Sequence, residues 1–409
     1  MTAWTPTPVV REQDWGDPRL FLAPQFEILI DGDGLPQTAL HDVTEVTYRD
    51  SLTELDQFEL TVSNWEPSND AETPRRMFKY IGSESAADLK SNAPDKQLFR
   101  LFEPCRKRVA LKMGYLARME PMMTGTFTTM ETAFTSSGPS TLTVRGLNVF
   151  HQLRTKKYST AWENKTPSQI AKNIGALTDK GKKRFPIPIK IIEGTEGHEE
   201  QIPYVAQTSQ FDIDFLLNFA RQHGYEITLS GSGKNEELLF GKSSEARLPV
   251  NYALDWGQTL IDFKPTLTTA GQFKSVTVRG WDRKTQKPIE EKVAFDDKDL
   301  KKMNAKLGEL VMECDPREEQ VVDLPVFSKA DARKRAIGLM RDNAARMVKA
   351  SGTTIGLPEL RAGTKLMIGN LGARLSGEYL VTKTTHVIGE GGYTTKFECR
   401  MEDFTGKPR

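Results

Sequence analysis

The sequence predicts a mainly β protein with an α+β insertion, and three observations carry that prediction. Short runs rich in β-branched and aromatic residues, several alternating apolar with polar, recur from Phe26 to Phe150 and again from Thr259 towards the C-terminus. Gly-containing turns punctuate them, among them Asp31-Gly32-Asp33-Gly34, Gly369-Asn370 and Gly389-Glu390-Gly391-Gly392. Helical spacing is confined to two stretches between residues 151 and 245 and one beginning at Lys329. At 409 residues the chain has room for two or three domains and a sizeable core.

Residues 1–24 are Pro-rich and read as an arm. Phe26–Ile30 is then a strand closed by the turn at Asp31-Gly32. Asp31 and Asp33 alone do not make a calcium loop, because the further acidic ligands of an EF-hand are missing. Val43–Tyr48 and Gln57–Val62 alternate as half-buried antiparallel strands do. Between Trp65 and Arg108 the alternation stops in a stretch with Pro67, Pro74, Pro94 and Pro104, a connection long enough to expect a functional or mobile insertion. Strands resume at Val109–Leu116, Met122–Phe134 and Thr141–Phe150. The span 1–150 is the first expected domain, a small β-barrel with an insertion at about 65–108.

Residues 151–245 form an expected α+β domain. Thr166-Pro167-Ser168-Gln169 opens one helix, and a second carries Phe211, Phe215, Leu216 and Phe219 at helical spacing before Gly224. His223 closes that helix, where the helix dipole favours it. Strands are expected at Ile187–Ile192, Tyr225–Leu229 and Leu238–Phe240. From 246 to 409 comes a second β-barrel with a helix-containing insertion at about 282–360, strands at Thr259–Phe263 and Gln272–Arg279, and a helix over Lys329–Lys349 capped by Ser328 with Asp331. The basic residues Arg333, Lys334, Arg341 and Arg346 read as a solvated or subunit-contacting face ahead of a phosphate site.

The two β regions read as copies. Ser51-Leu52-Thr53 followed by Gln57-Phe58 matches Thr266-Leu267-Thr268 followed by Gln272-Phe273, and Trp65 answers Trp281. Leu111–Leu116 answers Leu366–Leu371, and Met123–Phe127 answers Leu375–Tyr379, so a duplicated β-barrel interrupted at the same point in both copies is expected. Superposition should then align Phe58 with Phe273 and Phe127 with Tyr379. A barrel closes its own edges. Two related barrels per chain in a C3 homotrimer would make a pseudo-sixfold ring, an adaptor between a sixfold tube and a threefold tip.

Lys and Arg number 56 against 55 Asp and Glu, a formal charge of +1, so no overall basicity advertises a nucleic-acid complex. Cys105, Cys314 and Cys399 lie far apart with no C-x-x-C pair and read as reduced thiols. The first residues show no signal peptide, and no run of ~18 apolar residues marks a transmembrane segment. The expectation is a soluble bacterial protein, made and assembled in the cytoplasm.

Three segments resemble a known family: Gly356–Gly363, Leu375–His386 and Gly392–Phe397, with weaker support from Ser209–Leu216, Gly224-Tyr225-Glu226 and Asp56–Leu60. The chain resembles the phage late control gene D family, hub proteins of contractile phage tails and injection systems that share the N-terminal fold of VgrG spikes. The resemblance spans nearly the whole chain. It implies two tube-like β-barrel domains and a homotrimeric baseplate hub. Its implied partners are the inner tube protein, a trimeric spike protein, baseplate wedge proteins and tape measure or cargo in the lumen. Because the chain ends at Arg409, just after the second barrel, the spike is expected on a separate chain. The alternatives are the hub of a long non-contractile tail, or a secreted β-barrel carbohydrate-binding protein or hydrolase.

No catalytic, metal or cofactor site is expected. His198-Glu199-Glu200 lacks the second His of H-E-x-x-H, no G-x-S-x-G or P-loop occurs, and no carboxylate pair stands apart as glycoside hydrolysis needs. His386 is expected in a structural hydroxyl network beside Thr384 and Thr385.

Overall fold

The computed structural model describes residues 23–403 except 66–77, 135–138, 231–236, 243–249, 298–316, 323–325 and positions 53, 92, 106, 117, 155, 198, 200, 224, 258, 283, 284, 296, 327 and 345. Residues 1–22 of the expected N-terminal arm, Pro67, Pro74, His198, Gly224 and Cys314 therefore lie outside the described residues. The fold is mainly β with an α+β insertion, as the sequence predicts.

The first β unit has six long strands, β1 (Pro24–Ile30), β2 (Val43–Ser51), β3 (Gln57–Ser63), β4 (Arg108–Tyr115), β5 (Arg118–Ala133) and β6 (Thr141–Asn148), besides the two-residue strand Asp33–Gly34 that pairs with the end of β1. Asp31 and Gly32 both take positive φ, 55° and 98°, and join Ile30 to Asp33 as a two-residue hairpin turn. β3 and β6 alternate buried with half-buried side chains and β2 buries Val46, Thr47 and Tyr48 in succession, so that Tyr48, Phe58, Leu60, Leu142 and Val144 share one core. The described part of the Trp65–Arg108 connection is part of that core. Asn64 accepts from the amides of Tyr80 and Ile81 at 2.9 and 3.2 Å, and Phe102 lies between Tyr80 and Phe127 with ring centroids at 5.3 and 5.7 Å.

The middle region contains β7 (Tyr158–Lys165), α1 (Pro167–Ala176), β8 (Ile189–Ile191), β9 (Ile202–Gln210), α2 (Asp212–His223), β10 (Tyr225–Ser230) and β11 (Glu237–Lys242). Thr166 and Gln169 form a reciprocal capping box, and Pro167 stands at the first turn of α1. Ile170, Ile174, Leu216 and Phe219 from the two helices meet Leu238 and Phe240 in a separate core.

The second unit follows with β12 (Val250–Asp255), β13 (Leu260–Leu267), β14 (Ser275–Asp282), β15 (Lys287–Ala294), β16 (Glu318–Val321), α3 (Lys329–Ala344), β17 (Val348–Ile355), β18 (Lys365–Gly369), β19 (Gly377–Gly389) and β20 (Gly392–Asp403). Helix α3 stops at Ala344, five residues before the expected end, because Val348–Ile355 alternates as a strand and pairs with β20. Ser328 accepts from the amide of Asp331 at 3.0 Å, as the cap requires.

The strand orders of the two units correspond. The first runs β2–β3–β6–β5–β4–β1 and the second β13–β17–β20–β19–β18–β12. They differ in one pairing: β1 and β4 are antiparallel, β12 and β18 parallel. The matches at Ser51, Leu111–Leu116 and Met123–Phe127 fall on corresponding strands, but Phe127 does not align with Tyr379: β4 pairs Leu111 with Met123 where β18 pairs Leu366 with Tyr379. The Phe58–Phe273 and Trp65–Trp281 matches do not fall on corresponding strands. Strand β3 is answered by β17, whereas Phe273 precedes β14 and Trp281 lies on it, in an inserted sheet of β14, β15 and β16. The spacing around Gln272 is that of generic strand residues and no sign of descent. The interruptions also differ in place, after β3 in the first unit and after β13 in the second. The units join into one sheet of 13 strands, because β19 pairs with β2 from Lys383–Ser51 to Ile388–Val46. Ile388 and Tyr393 consequently pack in the first core.

Candidate functional site at the joint between the two β units

The joint places acidic residues of β2 beneath a loop of the second unit. Arg361, in the Gly356–Gly363 segment, donates from Nε to Asp50 Oδ2 at 2.9 Å and from Nη2 to the Met122 carbonyl at 2.8 Å. It also bonds the Tyr48 hydroxyl, and its guanidinium lies 4.5 Å from the Tyr48 ring centre. The Ala362 amide donates to the same Asp50 oxygen at 3.1 Å, and Thr384 of β19 takes the other. Asp50 is 7% exposed, and these donors satisfy both of its side-chain oxygens where water does not reach.

Asp56 extends the network. Its Oδ2 accepts from the Tyr48 hydroxyl and from Asn148 Nδ2, each at 3.2 Å. Burial first, and the charge of Asp50 second, push the Asp56 carboxyl up to about 6, against the opposing pull of Arg361. Burial also raises the Tyr48 phenol well above its ordinary value. For Arg361 burial acts downward, but Tyr48, Asp50 and Asp56 outweigh it and the guanidinium stays charged.

His386 is fully buried on β19. Its Nε2 meets the Leu360 carbonyl at 3.0 Å, and its Nδ1 meets the hydroxyls of Tyr393 and Thr395 at 3.0 and 3.2 Å. The network is structural, as expected, but its hydroxyls come from β20, because Thr384 faces Asp50 and not the imidazole. Burial and the Arg361 charge lower the His386 value to about 3, so the ring is neutral. His223 does end α2, with Nδ1 2.8 Å from the Phe219 carbonyl, yet burial lowers its value where the helix dipole would raise it.

A cleft of about 790 Å³ opens beside the joint, with Asp50, Asp56 and Arg361 on one wall and Leu217 and Ile227 of the middle region on the other. Both Asp50 oxygens and one oxygen of Asp56 accept from donors of the protein itself. The arrangement ties the two units together. Among the described residues no group of three His, Cys, Asp or Glu is placed to hold a metal, and no helix is long and apolar enough to cross a membrane. Sequence reasoning missed Asp50 as the partner of Arg361, and Thr384 as a second donor to Asp50. Arg361 stands within the segment that carries the family resemblance, but contacts more than 300 residues apart leave no local signal.

The model of the family described as Alg8 N-terminal domain matches residues 92–390. No curated protein matches the sequence. Among solved structures, the chain is similar to the 43 kDa tail protein of prophage MuSo2 from Shewanella oneidensis, with TM-score 0.63 and 15% identity, covering 93% of this chain and 98% of that one. It is similar to a tail protein from Neisseria meningitidis MC58, with TM-score 0.62 and 11% identity over 92% and 96%. It also resembles the E. coli c3393 protein, a type VI secretion component with structural similarity to T4 tail proteins gp27 and gp5, with TM-score 0.52 and 12% identity over 93% and 77%. At these identities the likeness is one of fold: the chain has the fold of phage tail proteins.

Proposed function

The chain belongs to the Alg8 N-terminal domain family, and from its phage-tail fold we propose that it is a structural, non-enzymatic baseplate hub of a contractile tail or a contractile injection system derived from one. In this reading a homotrimer adapts a sixfold inner tube to a threefold spike. Wedge proteins dock around it, and tape measure or cargo fills its bore. Particles would be assembled in the bacterial cytoplasm. The observation that carries the proposal is the repeated strand order within one continuous sheet. A chain holding two like units presents six in a trimer, which is what meeting a sixfold ring requires.

Native mass measurement of the purified protein, alone and mixed with the tube and spike proteins encoded beside it, tests the reading. Three copies in the complex are expected. A stable monomer bound one-to-one to tube protein would overturn the adaptor mechanism.

A further inference from the structure

Across five consecutive strands, β13, β17, β20, β19 and β2, the long sheet turns one face to the cores and the other away from them. The register sets the outward residues in rows. Lys264, Ser351, Glu398 and Lys383 lie side by side from β13 to β19, and Thr353, Lys396, Thr385 and Arg49 lie side by side from β17 to β2. Lys349 and Arg400 pair in a further row. The aromatic residues of these strands, among them Tyr48, Phe263, Tyr393 and Phe397, pack into the cores on the other side.

The outward face is therefore built of hydroxyls and charges, and its charges do not balance. Arg49, Lys264, Lys349, Lys383 and Lys396 are each exposed or half-buried, and among the described residues none of the five forms an ion pair. Arg400 adds a sixth cation, whereas the same side offers the carboxylates of Glu398, Asp262 and Glu45. Lys264, Lys349 and Arg400, with Arg346 just after α3, line a cleft of about 640 Å³ to which Glu398 also contributes. The excess is local to this end of the sheet. Further along the same face Arg145 is held by Glu59 and by Glu131, each at 2.8 Å. A formal charge of +1 for the whole chain conceals the imbalance, because the compensating acids lie elsewhere.

The chemistry of the face decides what it suits. A stable protein partner needs an apolar, aromatic-rich centre, and this face offers Val387 and Ile355 in place of aromatics. Lys, Arg and side-chain hydroxyls are the groups that hold phosphates. Five strands make a face about 19 Å across, too broad to enter a DNA groove that admits a helix or a two-stranded ribbon. With the rings turned inward, nothing on it stacks on unpaired bases. We propose that this face takes the phosphodiester backbone of a nucleic-acid duplex, in a weak, salt-labile contact that does not read sequence. Over ~19 Å a duplex carries roughly eleven phosphates, enough to meet all six cations from one side. The contact does not depend on the homotrimeric reading.

Fluorescence anisotropy of the full-length protein with a labelled DNA duplex, titrated across NaCl concentrations, tests the proposal. The logarithm of the binding constant should fall against the logarithm of salt with a slope of about −4 or steeper, equally for two duplexes of unrelated sequence. Lys349→Gln, Lys383→Gln and Lys396→Gln combined should flatten that slope by about 3. Lys172→Gln, Lys190→Gln and Lys292→Gln combined remove the same charge from exposed pairs elsewhere and should leave it unchanged. Equal slopes for the two triple variants would overturn the proposal, and tighter binding of polyglutamate than of duplex would overturn it in favour of an acidic protein partner. Acetylation of the unaltered protein is independent of any variant: duplex should protect Lys349, Lys383 and Lys396 and leave Lys172 and Lys190 reactive, and uniform reactivity would sink the idea. Native mass on the same samples keeps the two readings apart. A monomer with this binding retains the duplex contact and loses the homotrimer, and a trimer indifferent to duplex does the reverse.

Discussion

Arg361 and Asp50, 311 positions apart in the chain, meet at 2.9 Å and tie the loop before β18 to the strand β2 of the other unit. Asp50 is the more buried of the two, and its Oδ2 depends on Arg361 and one backbone amide for its donors.

Replacing Arg361 by Met should therefore destabilise the protein by about 3–5 kcal/mol, the cost of a buried carboxylate that loses its charged partner. Asp50→Asn with Arg361→Met should recover part of that loss. Denaturant unfolding of the single and double variants reads both, and an Arg361→Met midpoint equal to the parent would show that the clamp contributes nothing.

The two shifted groups of the joint give opposite pH slopes. Asp56 has a folded value near 6, above the ordinary ~3.9 of an aspartate, so its neutral form stabilises the fold below pH ~4 and that contribution is lost as pH rises through 6. Asp56→Asn keeps an oxygen for Tyr48 and Asn148, and should gain roughly 3 kcal/mol over the parent at pH 8. His386 has a folded value near 3, below the ordinary ~6.5, so its contribution is complete above pH ~6.5 and is lost as pH falls through 3. His386→Asn should flatten the acid side of the profile. Unfolding free energies measured from pH 4 to 8 separate the two.

Much of the fold is legible in sequence because its strands are local and regular. β3 and β6 alternate with period two, and the capping box of Thr166 and Gln169 lies within four residues. β17 was hidden for the opposite reason: Val348-Lys349 follow a helix directly with no Gly or Pro between, so the strand reads as its last turn. The joint is legible only as a motif. Arg361 and His386 stand in distinctive segments, but their partners Asp50, Tyr393 and Thr395 are set by sheet register, and the match of Gln272-Phe273 to Gln57-Phe58 shows how strand composition alone misleads.

Two glycines mark close approaches that a methyl group would destroy. A Cβ on Gly146 would overlap the Phe58 ring in the first core, and one on Gly356 would overlap the Tyr393 ring. Each change to Ala should cost at least the ~1–3 kcal/mol of an overpacked core. Gly356→Ala also disturbs the carbonyl to which the Tyr115 hydroxyl donates at 2.9 Å, so it should loosen the joint while Gly146→Ala loosens the first core alone. Hydrogen exchange in β19 against β6 distinguishes them.

Thr166→Ala removes the side chain that accepts from the Gln169 amide at 3.3 Å. The loss should be about 1 kcal/mol and confined to α1 and its neighbours, read as a lower thermal midpoint with an unchanged oligomer mass.

The sharing of β19 between the units has a consequence during synthesis. Thr384 reaches Asp50 across 334 positions, so β2 leaves the ribosome long before the strand that covers it exists. At about 5–20 residues per second the interval is roughly 20–70 s. Throughout it the nascent first unit carries an uncovered β2 edge, next to an Asp50 whose clamp is still untranslated. Chaperone dependence during translation, and aggregation of chains truncated before residue 377, follow from the same contact that later welds the finished molecule.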